Sequence, residues 1–152
     1  MIRPVVMHPD DRLRQLCAPV ITIDDTLRAL CADMFDTLYH AKGRGLAAPQ
    51  IGQLIRLFVM DATWKFGDPT PMVFVNPELL SSAADLQTNE EACLSIADFS
   101  ASIARPARIE AMWLDEHGAQ QRGAFEGFEA ACICHEIDHL NGTLILDRRA
   151  AA

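Results

Sequence analysis

Near its C-terminal end the chain carries His135-Glu136-Ile137-Asp138-His139, five residues whose types and spacing suit metal chemistry. On an α-helix, positions i and i+4 lie one turn apart on the same face, so the two imidazoles can grip one metal ion while Glu136 stands beside it. That pairing sets a Lewis acid next to a proton carrier. An ordinary polar helix face would fit the same five residues, and the choice turns on whether the chain supplies a third ligand.

A zinc-protease reading wants that ligand downstream. Only 13 residues follow His139, and Leu140 to Ala152 contain no His, Cys or Glu. The donor must therefore lie upstream, unless Asp147 bends back to serve. Cysteine is the natural type, because a thiolate with two imidazoles suits zinc or ferrous iron and leaves a position open for water. Of the five cysteines, Cys17 and Cys31 fall in apolar contexts, and Cys132 and Cys134 share the helix of the two histidines. Cys132 points to the metal-facing side, but as a ligand it would require one helix to surround the ion. Cys93, among acidic and small polar residues in a strand-like stretch, is the better candidate.

A chain of 152 residues, half of them hydrophobic, suffices for one core, and a single domain over residues 1–152 is expected. The net charge of −8 and the lack of a basic block interleaved with aromatics argue against nucleic acid as a direct ligand. Met1 to Val20 holds no apolar run long enough for a signal peptide or a membrane helix, so no membrane partner and a cytoplasmic location are expected. The odd cysteine count, without paired spacing, suits a reducing compartment.

The elements that must position the motif follow from periodicity. Pro4 to Val20, with a turn around Pro9-Asp10-Asp11 and a Leu13/Leu16 pair before Pro19, reads as an extended arm with one helical turn. Asp24 or Asp25 caps a helix over residues 25–41, with Leu27, Leu30, Cys31, Met34, Phe35 and Leu38 on its apolar stripe and Gly43 as its stop. Gly43-Arg44-Gly45-Leu46-Ala47-Ala48-Pro49-Gln50 is a run of small side chains ending in an amide. It fits equally a seat for an extended peptide and a flexible connection. Arg56 to Asp61 and Met72 to Asn76 read as strands, the second ended by Pro77. Ser81 to Gln87 is turn or strand, Ile103 to Leu114 a strand broken by Pro106, and a last strand precedes Gly123. A second helix over Phe125 to Leu140 sets Phe128, Ala131, Cys132, His135 and His139 on one face, and the terminal Arg-Arg-Ala-Ala-Ala is expected to fray. The fold class is α+β: antiparallel strands packed around a central C-terminal metal-binding helix, with an N-terminal helix.

Three segments, Gly43 to Gln50, Glu91-Ala92-Cys93-Leu94-Ser95 and His135 to His139, resemble in order and separation the three motifs of the peptide deformylases. The opening His8-Pro9-Asp10-Asp11-Arg12-Leu13-Arg14 and the Asn76-Pro77-Glu78 turn are similar to that family too. The resemblance implies one divalent metal ion, ferrous iron in the family and replaceable by zinc, nickel or cobalt, held by Cys93, His135 and His139. It implies removal of the formyl group from the N-terminal methionine of new polypeptides. By the same resemblance Glu136 is general base and then acid, and Gln50 with the backbone N–H of Leu94 steadies the oxyanion. The formylated peptide is expected to lie against Gly43, Arg44, Gly45, Glu91, Ala92, Phe128 and Cys132.

The chain also departs from the family pattern. Position 92 is Ala where the family usually has Gly, a costly change if that backbone needs a positive φ. Position 44 is Arg rather than apolar, which sets a cation at the edge of the peptide groove. The family's Arg downstream of the second motif is missing from Ala97 to Ser100, with Arg105 the first to follow, and Arg44 is the candidate substitute for handling substrate. Many bacterial members continue into a C-terminal helix that docks on the ribosome, a mode not expected here. Three alternatives to the deformylase are a zincin-type peptidase, a hydrolase of a different N-acyl group, and a metal-holding peptide-binding module without activity.

Overall fold

The computed structural model describes residues 1–149, and expectations about Ala150 to Ala152 lie outside them. The N-terminal arm makes one 3-10 turn, Asp11–Arg14, whose N-cap Asp10 accepts from the Arg12 N–H. Helix α1, Asp25–His40, starts where the Asp24 side chain accepts the N–H of Leu27, and it buries Leu27, Cys31, Met34, Thr37 and Leu38. Then come β1 (Gly45–Ala47), a 3-10 turn (Ala48–Ile51) and β2 (Leu57–Met60). The rest of the chain forms β3 (Met72–Ser82), β4 (Leu86–Cys93), β5 (Ile96–Pro106), β6 (Arg108–Leu114), β7 (Gln120–Glu126), α2 (Gly127–Leu140) and the short α3 (Ile145–Arg148).

Strands β1-β2-β3-β6-β7 form one antiparallel sheet in that order, and β4 pairs with β5 as a separate hairpin. The alternating side chains of β2 and β3 show why the sheet needs a helix on each face. Phe58, Met60 and Phe74 pack with Ala130, Cys132 and Ile133 of α2, whereas Leu57, Val59, Val73 and Val75 pack with Leu27, Met34 and Leu38 of α1. Helix α2 is thus enclosed by β1, β2, β5, β6 and β7, which is the expected arrangement of strands around the metal-motif helix. A third apolar cluster joins Val6 and Leu13 of the arm, Cys93, Ile96 and Ile103 of the hairpin, and Leu144 and Ile145 at the start of α3. Among the described residues, no helix is long and apolar enough to cross a membrane.

Several boundaries differ from the sequence expectations. Pro77 does not end β3; the strand absorbs it in an irregularity between Val75 and Glu78, where Asn76 adopts φ 49°, and runs on to Ser82. Phe125 belongs to β7 rather than α2, because its ring packs against Trp113 and Phe74, and Gly127 at φ 59° turns the chain into the helix. The stretch expected as one strand from Ile103 to Leu114 is the end of β5 and all of β6, which belong to different sheets. Arg148, expected to fray, donates to both carboxylate oxygens of Asp138.

Candidate metal centre and active-site cleft

Helix α2 brings His135 and His139 one turn apart, and the end of β4 lays Cys93 across from them. Their donor atoms, Sγ of Cys93 and one ring nitrogen from each histidine, all lie within 4.8 Å of one another. Sγ of Cys93 is 3.4 Å from Nε2 of His139. Cys132 is not part of this group; it lines the cleft nearby as a buried thiol whose pKa burial, and then the charge of Glu136, push well up.

The residues present fit a divalent cation. Burial pulls the His135 imidazolium pKa down, but the charge of Glu136 and the hydrogen bonds to Cys93 and Glu91 outweigh it and lift the value to about 10, so this spot favours positive charge. Burial, and then the positive charge of His135 and Arg105, pull the His139 pKa well down, which keeps that ring a neutral nitrogen donor. Two imidazoles and one thiolate converging on a point suit zinc, ferrous iron, cobalt or nickel.

The ring of His135 is held from behind. Nδ1 of His135 donates to Oε1 of Glu91 at 2.9 Å, which fixes the tautomer and turns Nε2 away from that carboxylate. Arg105 donates to both oxygens of Glu91 at 2.9 Å and to Asp138 at 2.6 Å, and Arg148 closes the network on Asp138. Burial alone would raise the Glu91 carboxyl, yet Arg105 and His135 hold it at about 2, so it stays ionised. Glu91 lines the cleft as expected, but its oxygens are committed to Arg105 and His135 rather than open to a ligand. Arg105, which the sequence suggested only as a distant arginine, is the clamp of the centre.

Glu136 stands beside the donors, 3% exposed, and its Oε1 has no hydrogen-bond partner among the described residues. Burial pushes its pKa up to about 7, a value at which a carboxylate can both take and return a proton. Gly45 makes room for it: a Cβ there would come within 2.5 Å of Glu136 Oε2 and 2.8 Å of Cys132 Sγ. The segment that fitted equally a seat for an extended peptide and a flexible connection is β1 followed by a tight turn, with Gly45 pressed against the carboxylate.

Gln50 is buried in that turn. Its Oε1 accepts the N–H of Ala47 at 2.9 Å, and its Nε2 donates to Oγ of Ser95 at 3.0 Å and sits 3.6 Å from Sγ of Cys93. The N-terminal arm ties down both partners, since the N–H of Val6 donates to the Gln50 carbonyl and that of His8 to the Ser95 carbonyl, each at 2.7 Å. Ser95 is fully buried and was not singled out in the sequence beyond its place in the motif.

These groups open into a cleft of about 500 Å³ lined by Gly43, Arg44, Gly45, Gln50, Glu91, Ala92, Cys93, Leu94, Phe128, Cys132, His135 and Glu136, and also by Lys42, Lys65 and Asn89. His139 lies beneath it. Ala92 does not occupy a positive-φ position; it is an extended β4 residue opposite Ser100, so its methyl group costs no backbone strain. Arg44 lays its guanidinium over the Phe128 ring, 3.6 Å from the centroid.

A cysteine sulfur and two imidazoles beside a buried carboxylate, at the floor of an open cleft, define a metallohydrolase. The polypeptide deformylase family model matches residues 2–152. The peptide deformylase of Rhizobium meliloti is 46% identical over 146 residues, covering 96% of this chain and 84% of the relative, and that of Mesorhizobium japonicum is 47% identical over the same length. Among solved structures, the Thermotoga maritima peptide deformylase superposes with a TM-score of 0.94 at 35% identity, covering 99% of each chain. The Synechococcus elongatus enzyme in complex with actinonin gives 0.92 at 39% identity, covering 99% of this chain and 82% of that one. The chain belongs to the peptide deformylase family, metal-dependent hydrolases that remove the N-terminal formyl group from nascent peptides.

Proposed function

We propose that the protein deformylates formyl-methionyl peptides with Cys93, His135 and His139 as the ligands of one divalent cation, and that residues 1–152 form a single catalytic domain working in the cytoplasm. Iron(II) is the native ion in this reading, with zinc, nickel and cobalt as substitutes the same donors accept. When bound, the ion supplies Lewis acidity and makes a water molecule acidic near neutral pH.

The remaining work falls to the chain's own residues. Gly43, Gly45 and Ala92 leave a narrow cleft in which an extended peptide can lie beside β1, with its formyl carbon above Cys93 and Glu136. Glu136 Oε1 takes the proton of the attacking water and, as the C–N bond of the formamide breaks, returns it to the departing amine. Formate and a free N-terminus remain. As the carbonyl oxygen gains charge, Nε2 of Gln50 and the backbone N–H of Leu94 donate to it. Glu91, clamped by Arg105, keeps the His135 ring in one orientation throughout.

The observation that carries this reading is Glu136: buried, without a partner at Oε1 among the described residues, and beside three convergent metal donors. Its test is formate release from formyl-Met-Ala-Ser by the iron- or nickel-loaded protein, against Glu136→Gln. Turnover in the parent, with loss of about 100- to 10,000-fold in the variant, is expected. Equal rates in the two proteins would remove Glu136 from the reaction.

A further inference from the structure

Three cations stand at the mouth of the cleft without an ionic partner. Lys42, Arg44 and Lys65 all line it, and none forms an ion pair among the described residues. Such a cluster runs against a chain of net charge −8.

Arg44 is built into place. Its guanidinium lies 3.6 Å from the Phe128 centroid and 5.7 Å from that of Phe66, so the aromatic rings hold its plane. A stacked guanidinium keeps its N–H edge free, the geometry that takes a carboxylate through two parallel bonds. Lys65 sits over the Trp64 ring, and Trp64 is pinned by its Nε1, which donates to the Gly43 carbonyl at 2.9 Å.

The acidic groups facing the same space do not cancel these charges. Glu91 is matched by Arg105 and His135. Glu136 lies at the floor, and exposed Glu90, bonded only by the neutral Ser100 hydroxyl at 2.9 Å, sets one negative charge against three cations. The rim is left with an excess of positive charge, and a cleft with low-dielectric walls concentrates its field on whatever enters.

With the formyl group at the floor, the residues after methionine must leave through this mouth. We propose that Lys42, Arg44 and Lys65 form a basic collar that selects formyl-methionyl peptides with acidic side chains in the positions following the methionine. This rests on the deformylase reading above and adds the class of substrate.

The test compares kcat/KM for formate release from formyl-Met-Asp-Glu, formyl-Met-Ala-Ser and formyl-Met-Lys-Lys, all amidated at the C-terminus so that only side chains carry the charge. At low ionic strength the acidic peptide should exceed the basic one by roughly tenfold, and added salt should shrink the ratio. In Arg44→Gln, and in a Lys42→Gln/Lys65→Gln double variant, the ratio should fall towards one. Formate released at equal kcat/KM from all three peptides, or a ratio that both variants leave untouched, overturns the collar while leaving deformylation intact. No formate from any of the three overturns the deformylase reading and the collar with it.

Discussion

Oε1 of Glu91 lies 2.9 Å from Nδ1 of His135, and the same carboxylate accepts two hydrogen bonds from the buried Arg105. A metal-facing histidine is thus aimed from the β4-β5 hairpin rather than from its own helix. Groups that orient a ligand in this way matter nearly as much as the ligand itself, with losses of about 10- to 100-fold in metal affinity on their removal. Glu91→Ala is therefore expected to weaken iron or zinc retention by that factor, read by competition with a chelator. Retention equal to the parent protein's would show that His135 needs no support.

Gln50 is held at both ends of its amide, by the Ala47 N–H and by the Ser95 hydroxyl. Such rigidity is what a donor to a developing oxyanion requires. Gln50→Glu preserves the shape but removes the N–H, and kcat is expected to fall about 100- to 1000-fold with KM changed much less. A rise in KM alone would place Gln50 in substrate binding instead.

Gly45→Ala sets a methyl group 2.5 Å from Glu136 Oε2. The carboxylate has to move, so deformylation should drop at least about tenfold, since an error of about 1 Å in a reacting group costs up to 100-fold. A chelator titration should still find the metal bound, because none of the three donors is displaced. Full activity in this variant would contradict the position assigned to Glu136.

Asp61 is buried with a charge. Burial by itself would raise its carboxyl pKa, but the Tyr39 hydroxyl, at 2.6 Å, and the N–H groups of Thr70, Thr63 and Trp64 outweigh it and hold the carboxyl below its ordinary value of 3.8. A lowered folded-state pKa means that ionised Asp61 stabilises the fold at neutral pH and ceases to do so as acid protonates it. Thermal melts of Asp61→Asn and the parent should differ most at pH 7 and converge as the pH falls below about 4. A gap independent of pH would mean that the charge contributes nothing. The loop anchored here also carries Lys65 to the cleft and Phe66 towards the Arg44 guanidinium, so the variant probes the collar's support as well.

The metal motif and its helix could be read from the chain because i, i+4 spacing is a local rule, and Cys93 followed by elimination and resemblance. Arg105 could not be placed that way. It meets Glu91, 14 residues earlier, only through the β4-β5 pairing. That register shifts at a bulge between Ala92 and Cys93, which no local pattern announces. The role of Lys65 depends on a loop from Asp61 to Pro71 with little regular structure, held by side-chain bonds to Asp61, and that of Lys42 on the turn between α1 and β1. The spacing of Phe125 matches the α2 stripe, but its ring joins the aromatic cluster of Phe74 and Trp113 on the sheet, which keeps it in β7. At position 92 the concern over backbone strain dissolved once the residue proved to be extended.

The bonds from Val6 to Gln50 and from His8 to Ser95 have a meaning for how the molecule is made. The centre is stitched from the arm, the β1 turn, the hairpin and α2, so no stretch of neighbouring residues contains it. Contacts so distant in sequence form late, after long loops have closed. A partly synthesised chain that has not yet released α2 from the ribosome holds Cys93 and Gln50 but neither histidine. Such a molecule works on other nascent chains only after its own synthesis has passed the last motif.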